Sequence, residues 1–213
     1  PGCFLESTDE FLDFFKDALL ARGSRYLQSQ MQWEAEHAET IIRRHLGICL
    51  DTCHIALQFE DLAESVDRYR SAGIRISKIQ LSAALEARSD AEGWEALKPF
   101  CEPVYLHQVR ARSSDGKLRS WNDLPDALNE LPSRPASKQL RAHFHVPLFF
   151  EKSNHLASTA ACLTPEFFAQ IRKGVCPHLE IETYTFDALP AELRAGDVVD
   201  SIVREYEWVL ARI

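Results

Sequence analysis

The sequence predicts an α/β fold, the carboxyl-terminal half of a (β/α)8 barrel (strands five to eight) carrying an inserted β-hairpin. Three observations predict it. Helix and strand signals alternate along most of the 213 residues, which is the order that builds a parallel sheet. Only four alternating strands can be counted, where a closed barrel needs eight and typically about 250 residues. The sequence also opens at Pro1, directly before a helix cap, leaving no room for earlier strands. Residues 1–213 therefore read as one barrel-type domain without its amino-terminal half, with residues 83–139 as the insertion.

Each element has a local signal. Ser7-Thr8-Asp9-Glu10 is a capping box, with Ser7 as N-cap and Glu10 at N3. It opens the amphipathic helix EFLDFFKDALLARG, which Gly23 can end. A second helix is expected from about Arg25 to His45, with Leu27, Met31, Ile41 and Ile42 as its apolar positions. GICLD, Gly47 to Asp51, is a strand. DLAESVDRYRSAG is a helix stopped by Gly73, and Ile74 to Ser82 is the next strand. The alternation then breaks. PVYLHQVRARSSDGKLRSWNDLPDAL reads as two strands joined by a turn at Asp115-Gly116, and LPSRPASK, Leu131 to Lys138, is linker-like. Leu140 to Val146 resumes the strands. Thr164 as N-cap and Pro165 at N1 open the helix PEFFAQIRKG. His178 to Phe186 is the last strand. The closing helix, Ala195 to Ile213, sets Val198, Ile202, Tyr206 and Val209 on one face.

Composition narrows the function. At 46% hydrophobic residues the chain can bury a sizeable core. Its 24 Lys and Arg against 32 Asp and Glu leave a net charge of −8, a poor platform for nucleic acid, whose affinity comes largely from neutralised phosphates. No run of 18 apolar residues predicts a membrane span, and PGCFLESTDE lacks a signal peptide's basic and apolar regions. The six cysteines are scattered without a CxxC pair, so they read as reduced thiols of a cytoplasmic protein. Cys49 is expected to alternate inward with the strand core.

Each strand ends in groups that bind metal. Asp51 and His54 follow GICLD, and Gln80 ends the next strand. His143 and His145 share one face of LRAHFHV, and Glu180 and Glu182 share one face of the last strand. In a parallel barrel these ends meet on one rim. Carboxylates with imidazoles suit Zn, Mn or Fe. His107, in the inserted YLHQVRAR, is a further candidate, and Arg110 and Arg112 alternate on one strand face. His37, His45, His155 and His178 read as surface or capping residues.

The stretch CLDTCH, Cys49 to His54, resembles a signature of the xylose isomerase-like barrel superfamily, which includes sugar isomerases, epimerases and the endonuclease IV group. The resemblance implies Asp51 and His54 as metal ligands. His143 and His145 resemble the pair on the next-to-last strand, where the first is usually Asp. Glu182-Thr183 resembles the Glu of the last strand. Gln80 departs from that pattern, which usually has His, and a metal-binding Glu ending strand four would lie before Pro1. PGCFLES, CLDTCHIALQFED, YLHQV, HFHVPLF and LEIETYT together are similar to the metabolite traffic protein EboE family. That family belongs to an operon implicated in moving small metabolites towards the cell envelope.

These readings imply a metal-dependent protein acting on a small metabolite, an isomerase, epimerase or hydrolase. Asp51, His54, Gln80, His143, His145 and Glu182 are the expected metal ligands, with Glu182, His54 and His107 as catalytic groups. The alternatives are a non-catalytic binding or transport accessory protein, working beside other proteins of the same operon, and a zinc phosphoesterase like endonuclease IV.

Overall fold

The structure is a computed structural model that describes residues 2–133, 137–182, 185–190, 194 and 196–213. Its organising element is one nearly continuous extended run. β2 (Arg75–Leu81) leaves a parallel sheet, passes Ser82 and Ala83, and re-enters an antiparallel sheet as β3 (Ala84–Arg88). The parallel sheet has the order β1-β2-β9, with β1 at Gly47–Asp51 and β9 at Leu179–Ile181. The antiparallel sheet runs β5-β4-β6-β3-β8-β7. Its remaining strands are β4 (Val109–Ser113), β5 (Leu118–Trp121), β6 (Ser137–His145), β7 (Lys152–Ser153) and β8 (Leu156–Ser158).

The α/β class holds, but the four strands do not form one parallel sheet. In a barrel β6 would separate β2 from β9. Instead β2 pairs directly with β9, Gln80 opposite Glu180, and β6 runs antiparallel to β3 and β4. Among the described residues the strands close no barrel. The physical reason is the segment before β6, which supplies ready antiparallel partners. Glu86 of β3 faces Arg141 of β6 and binds its guanidinium at 2.7 Å, while Val109 and Ala111 of β4 pack into the same core. The expected hairpin forms between β4 and β5, with Gly116 at a φ of 82° in the turn. Residues 83–139 thus build the sheet that holds β6. Of the linker-like stretch, residues 134–136 lie outside the described residues.

The helices depart from expectation at two places. α1 (Thr8–Phe14) has the capping box of Ser7 and Glu10, but Gly23 is helical and ends nothing. The chain continues through a π-helical segment (Phe15–Arg22) into α2 (Gly23–Met31), because a glycine in the right-handed region carries no stop signal of its own. The break comes at Gln32, at a φ of 55°, and α3 (Ala35–His45) begins afresh. α4 (Thr52–Leu57) and α5 (Leu62–Ser71) follow β1, and α6 (Ala91–Leu97) and α7 (Leu124–Glu130) flank the hairpin. Thr164 caps α8 (Pro165–Arg172) as expected. In α9 (Val198–Leu210) the buried face is Ser201, Glu205 and Val209, whereas Val198 and Tyr206 are exposed. Buried Leu50, Ile76, Ile79, Leu81, Leu85, Leu140 and Phe144 join both sheets into one core.

Candidate metal centre

The carboxyl ends of β1, β2, β6 and β9 converge at the junction of the two sheets. Asp51 ends β1 and caps α4. Its Oδ1 accepts from the backbone N–H of Cys53 at 2.8 Å and of His54 at 3.2 Å, and from the Ser82 hydroxyl at 2.8 Å. Such a cap satisfies otherwise orphaned helix donors. It also fixes the first turn of α4, so that Cys53 is fully buried while His54 stays exposed. Across the junction, period-2 alternation on β6 aims His143 and His145 the same way, ring centroids 5.3 Å apart. The His54 ring lies 4.4 Å from that of His143.

Cys53, His143 and His145 form the tightest metal-type group among the described residues, with one donor atom from each within 4.8 Å of the others. Tetrahedral zinc needs ligand atoms roughly 3.5 Å apart, a closure within side-chain rotation. The ring hydrogen bonds fit the same use. His143 Nδ1–H donates to Gln108 Oε1 at 2.8 Å, and His145 Nδ1–H to the Glu182 carbonyl at 3.2 Å. Nε2 is then the lone-pair atom of each ring, and His143 Nε2 is buried with no hydrogen-bond partner. Burial, reinforced by the neighbouring His54 and His145 rings, pushes His143 down to about 3. Burial also lowers His145, against the opposing pull of Asp51. Both rings are therefore neutral, the form that ligates metal. Burial, then the Asp51 and Glu182 charges, raise the Cys53 thiol well above its ordinary value, and a bound cation would reverse that by taking the thiolate.

A carboxyl pair sits beside this group. Asp51 and Glu182 are hydrogen-bonded to each other. Desolvation, then the bond to and the charge of Asp51, push Glu182 up to about 7. Burial works to raise Asp51 too, but the neighbouring His54, the Ser82 hydroxyl and the Glu182 bond outweigh it, and Asp51 sits below its ordinary value. Two close carboxyls cannot both ionise cheaply, so one proton is held on Glu182. Gln80 Nε2 donates to Glu182 Oε2 at 2.9 Å, and its Oε1 accepts from the Cys49 thiol at 3.0 Å. Cys49 thus faces outward from the strand, contrary to the inward alternation expected of it.

Asp51, His54, Gln80, His143, His145 and Glu182 are all brought to this one corner. His107 stands behind it. Its Nδ1 binds the His143 carbonyl at 3.0 Å and its Nε2 binds Glu102 at 2.8 Å, so both ring nitrogens are taken. Glu180 pairs outward with Lys78, Arg110 with Glu6, and Arg112 lies over the Phe59 ring. Thr183 lies outside the described residues. Sequence reasoning set Cys53, which flanks Asp51, aside as a core thiol, and did not single out Ser82 or Gln108. Cys53 carried a readable signal, two residues after a helix-capping Asp, but a buried thiol reads as core. Ser82 and Gln108 carried none. No helix of the described residues is long and apolar enough to cross a membrane. No protein-family model, curated protein or solved structure matches the chain.

Proposed function

We propose that this chain holds a divalent metal ion at Cys53, His143 and His145 and acts on a small metabolite. The observation that carries the reading is the convergence of three donor atoms within 4.8 Å, with both imidazoles neutral and held through Nδ1. A thiolate with two imidazoles suits Zn or Fe better than Mn, and three protein ligands leave a position open for a reactant. Such a metal supplies Lewis-acid polarisation of a carbonyl or hydroxyl oxygen. Beside it, Glu182 holds a proton near neutral pH while Asp51 stays ionised. That pairing suits proton transfer in an isomerisation, epimerisation or hydrolysis. Gln80 orients Glu182, and His54 stands at the exposed side for substrate.

The resemblance to the EboE family and to sugar isomerase-type barrels supports the same reading, as do the three parallel strands whose ends meet at the site. The direct β2–β9 pairing departs from a half barrel. The second reading, a binding or transport accessory protein, draws support from Gln80, whose amide occupies Glu182 Oε2. A zinc phosphoesterase fits poorly with a net charge of −8. Six free cysteines agree with a reducing, cytoplasmic location.

Elemental analysis of the purified protein tests the metal. About one zinc or iron per chain is expected, and none would remove the reading. Turnover of aldose, ketose and ester substrates before and after chelation then separates enzyme from binder.

A further inference from the structure

A cavity of about 440 Å³ opens beside the metal centre. One end is polar. Asp51, His54, Gln80 and Gln108 meet there, and each touches the site: His54 stacks near His143, Gln108 holds its Nδ1, and Gln80 holds Glu182. The rest of the lining joins Leu5, Phe11, Ile48, Ile55 and Leu57, with the Tyr69 ring set edge-on to Phe11 at 5.7 Å, to the polar Glu6, Ser7 and Gln58. Among the described residues no Lys or Arg lines the cavity. Its carboxylates are Glu6, paired with Arg110, and Asp51, saturated at Oδ1 by three donors.

We propose that this cavity takes an uncharged, hydroxyl-bearing ligand with an apolar body. The assignment deepens the metal-site reading and rests on it for which end receives the hydroxyl. A phosphorylated or carboxylated ligand would meet the Asp51 and Glu6 carboxylates, with Arg110 already paired to Glu6 and the charge of a bound zinc already offset by the Cys53 thiolate and Asp51, so its own charge would be desolvated without a free partner. A simple sugar would satisfy the polar end but leave the apolar side chains facing hydroxyl groups. An apolar body covers those side chains, and a single hydroxyl or carbonyl reaches His54 and Gln108. Pockets of this size, mostly apolar with a few convergent polar groups, fix ligands by that division.

Calorimetry with three probes on zinc-loaded wild type tests the assignment: 4-phenyl-1-butanol, 4-phenylbutyl phosphate and xylose. The alcohol is expected to bind at least about tenfold tighter than either of the others: over xylose by burying a few methylenes, and over the phosphate ester, which has the same apolar body, by sparing a charge its desolvation. Leu5→Asp, on a half-buried rim position, should erase that preference. Gln58→Arg, which places a cation in the lining, should instead improve the phosphate ester. The assignment is overturned if xylose or the phosphate ester binds wild type as tightly as the alcohol, or if no probe binds. Chelator-treated wild type separates the two readings. If the purified protein holds no metal yet still ranks the probes this way, the metal centre falls and the cavity assignment stands.

Discussion

His107 is buried against β6 and His143 is a half-buried residue of that strand, yet their ring atoms are used differently. Around His107 every contact is matched. Its ring binds the His143 carbonyl and Glu102, its backbone N–H binds Asp123, and Glu102 in turn accepts from the N–H groups of Val104 and Tyr105 at 2.8 Å each. His143 uses Nδ1 alone, and its buried Nε2 has no hydrogen-bond partner. Leaving a buried polar atom unmet costs roughly 1–3 kcal/mol. A saturated histidine is thus explained by the fold it supports, and an unsaturated one needs something outside the fold. The difference separates scaffold from site within a few residues.

The largest expected effect attacks the site. Cys53→Ala or His143→Ala should weaken zinc binding by more than about 100-fold, beyond the roughly 10–100-fold lost with an outer-shell partner. His107→Gln should keep zinc within that outer-shell range. Competition against a chromophoric chelator measures all three. Equal affinity in wild type and Cys53→Ala would erase the distinction.

The next effect is on stability in chelator-treated protein. His107→Leu strands Glu102 and the His143 carbonyl and should cost roughly 2–4 kcal/mol in urea unfolding. His143→Leu removes an atom that already lacks a partner and one bond, to the half-buried Gln108, and should cost less. A reversed order would mean that His143 is the structural residue.

The pH dependence sharpens the contrast further. His143 titrates near 3 when folded and near its ordinary 6.5 when unfolded. The unfolded chain therefore binds the extra proton between those values, and stability rises with pH across that window. Glu182 runs the other way. Its carboxyl is raised from 4.5 to about 7, so the folded state binds the extra proton and stability falls as pH rises through that range. In metal-free protein, Glu182→Gln should therefore gain on wild type from pH 4.5 to 7, and His143→Leu should lose ground over the rise from pH 3 to 6.5. Melting temperatures across pH check both signs. Parallel curves for wild type and Glu182→Gln would show that Glu182 carries no raised proton affinity.

The capping box at Ser7, the cap at Thr164, the hairpin turn at Gly116 and the metal-type residues at strand ends were legible because each rests on spacing within a few residues. The pairing of β6 was not, because an alternating apolar pattern suits parallel and antiparallel neighbours alike. The Ala-rich run before Arg88, poor in β-branched residues, hid β3 and with it the second sheet. The expected residues still lie together despite this error. His143 and His145 needed only a shared strand face, and Asp51 and Glu182 needed only the ends of two strands that flank β2 in one parallel sheet. Cys53 was lost because its role depends on the orientation of α4, which the Asp51 cap sets.

The smallest effect tests how the carboxyl pair is oriented. Gln80 joins Cys49 to Glu182 through both ends of its amide. Gln80→Leu keeps the volume and removes both bonds. Each bond is worth roughly 0.5–1.5 kcal/mol, and Cys49 is exposed, so its thiol turns to water without loss. The stability change should therefore stay near that of the Glu182 bond alone. Zinc affinity should hold, because Gln80 touches no atom of Cys53 or of either imidazole among the described contacts. Activity should fall more than stability if Glu182 is the proton carrier, since its carboxyl is then free to rotate away from Asp51. Substrate affinity falling alone, with kcat unchanged, would place Gln80 in binding and leave Glu182 without a role in proton transfer.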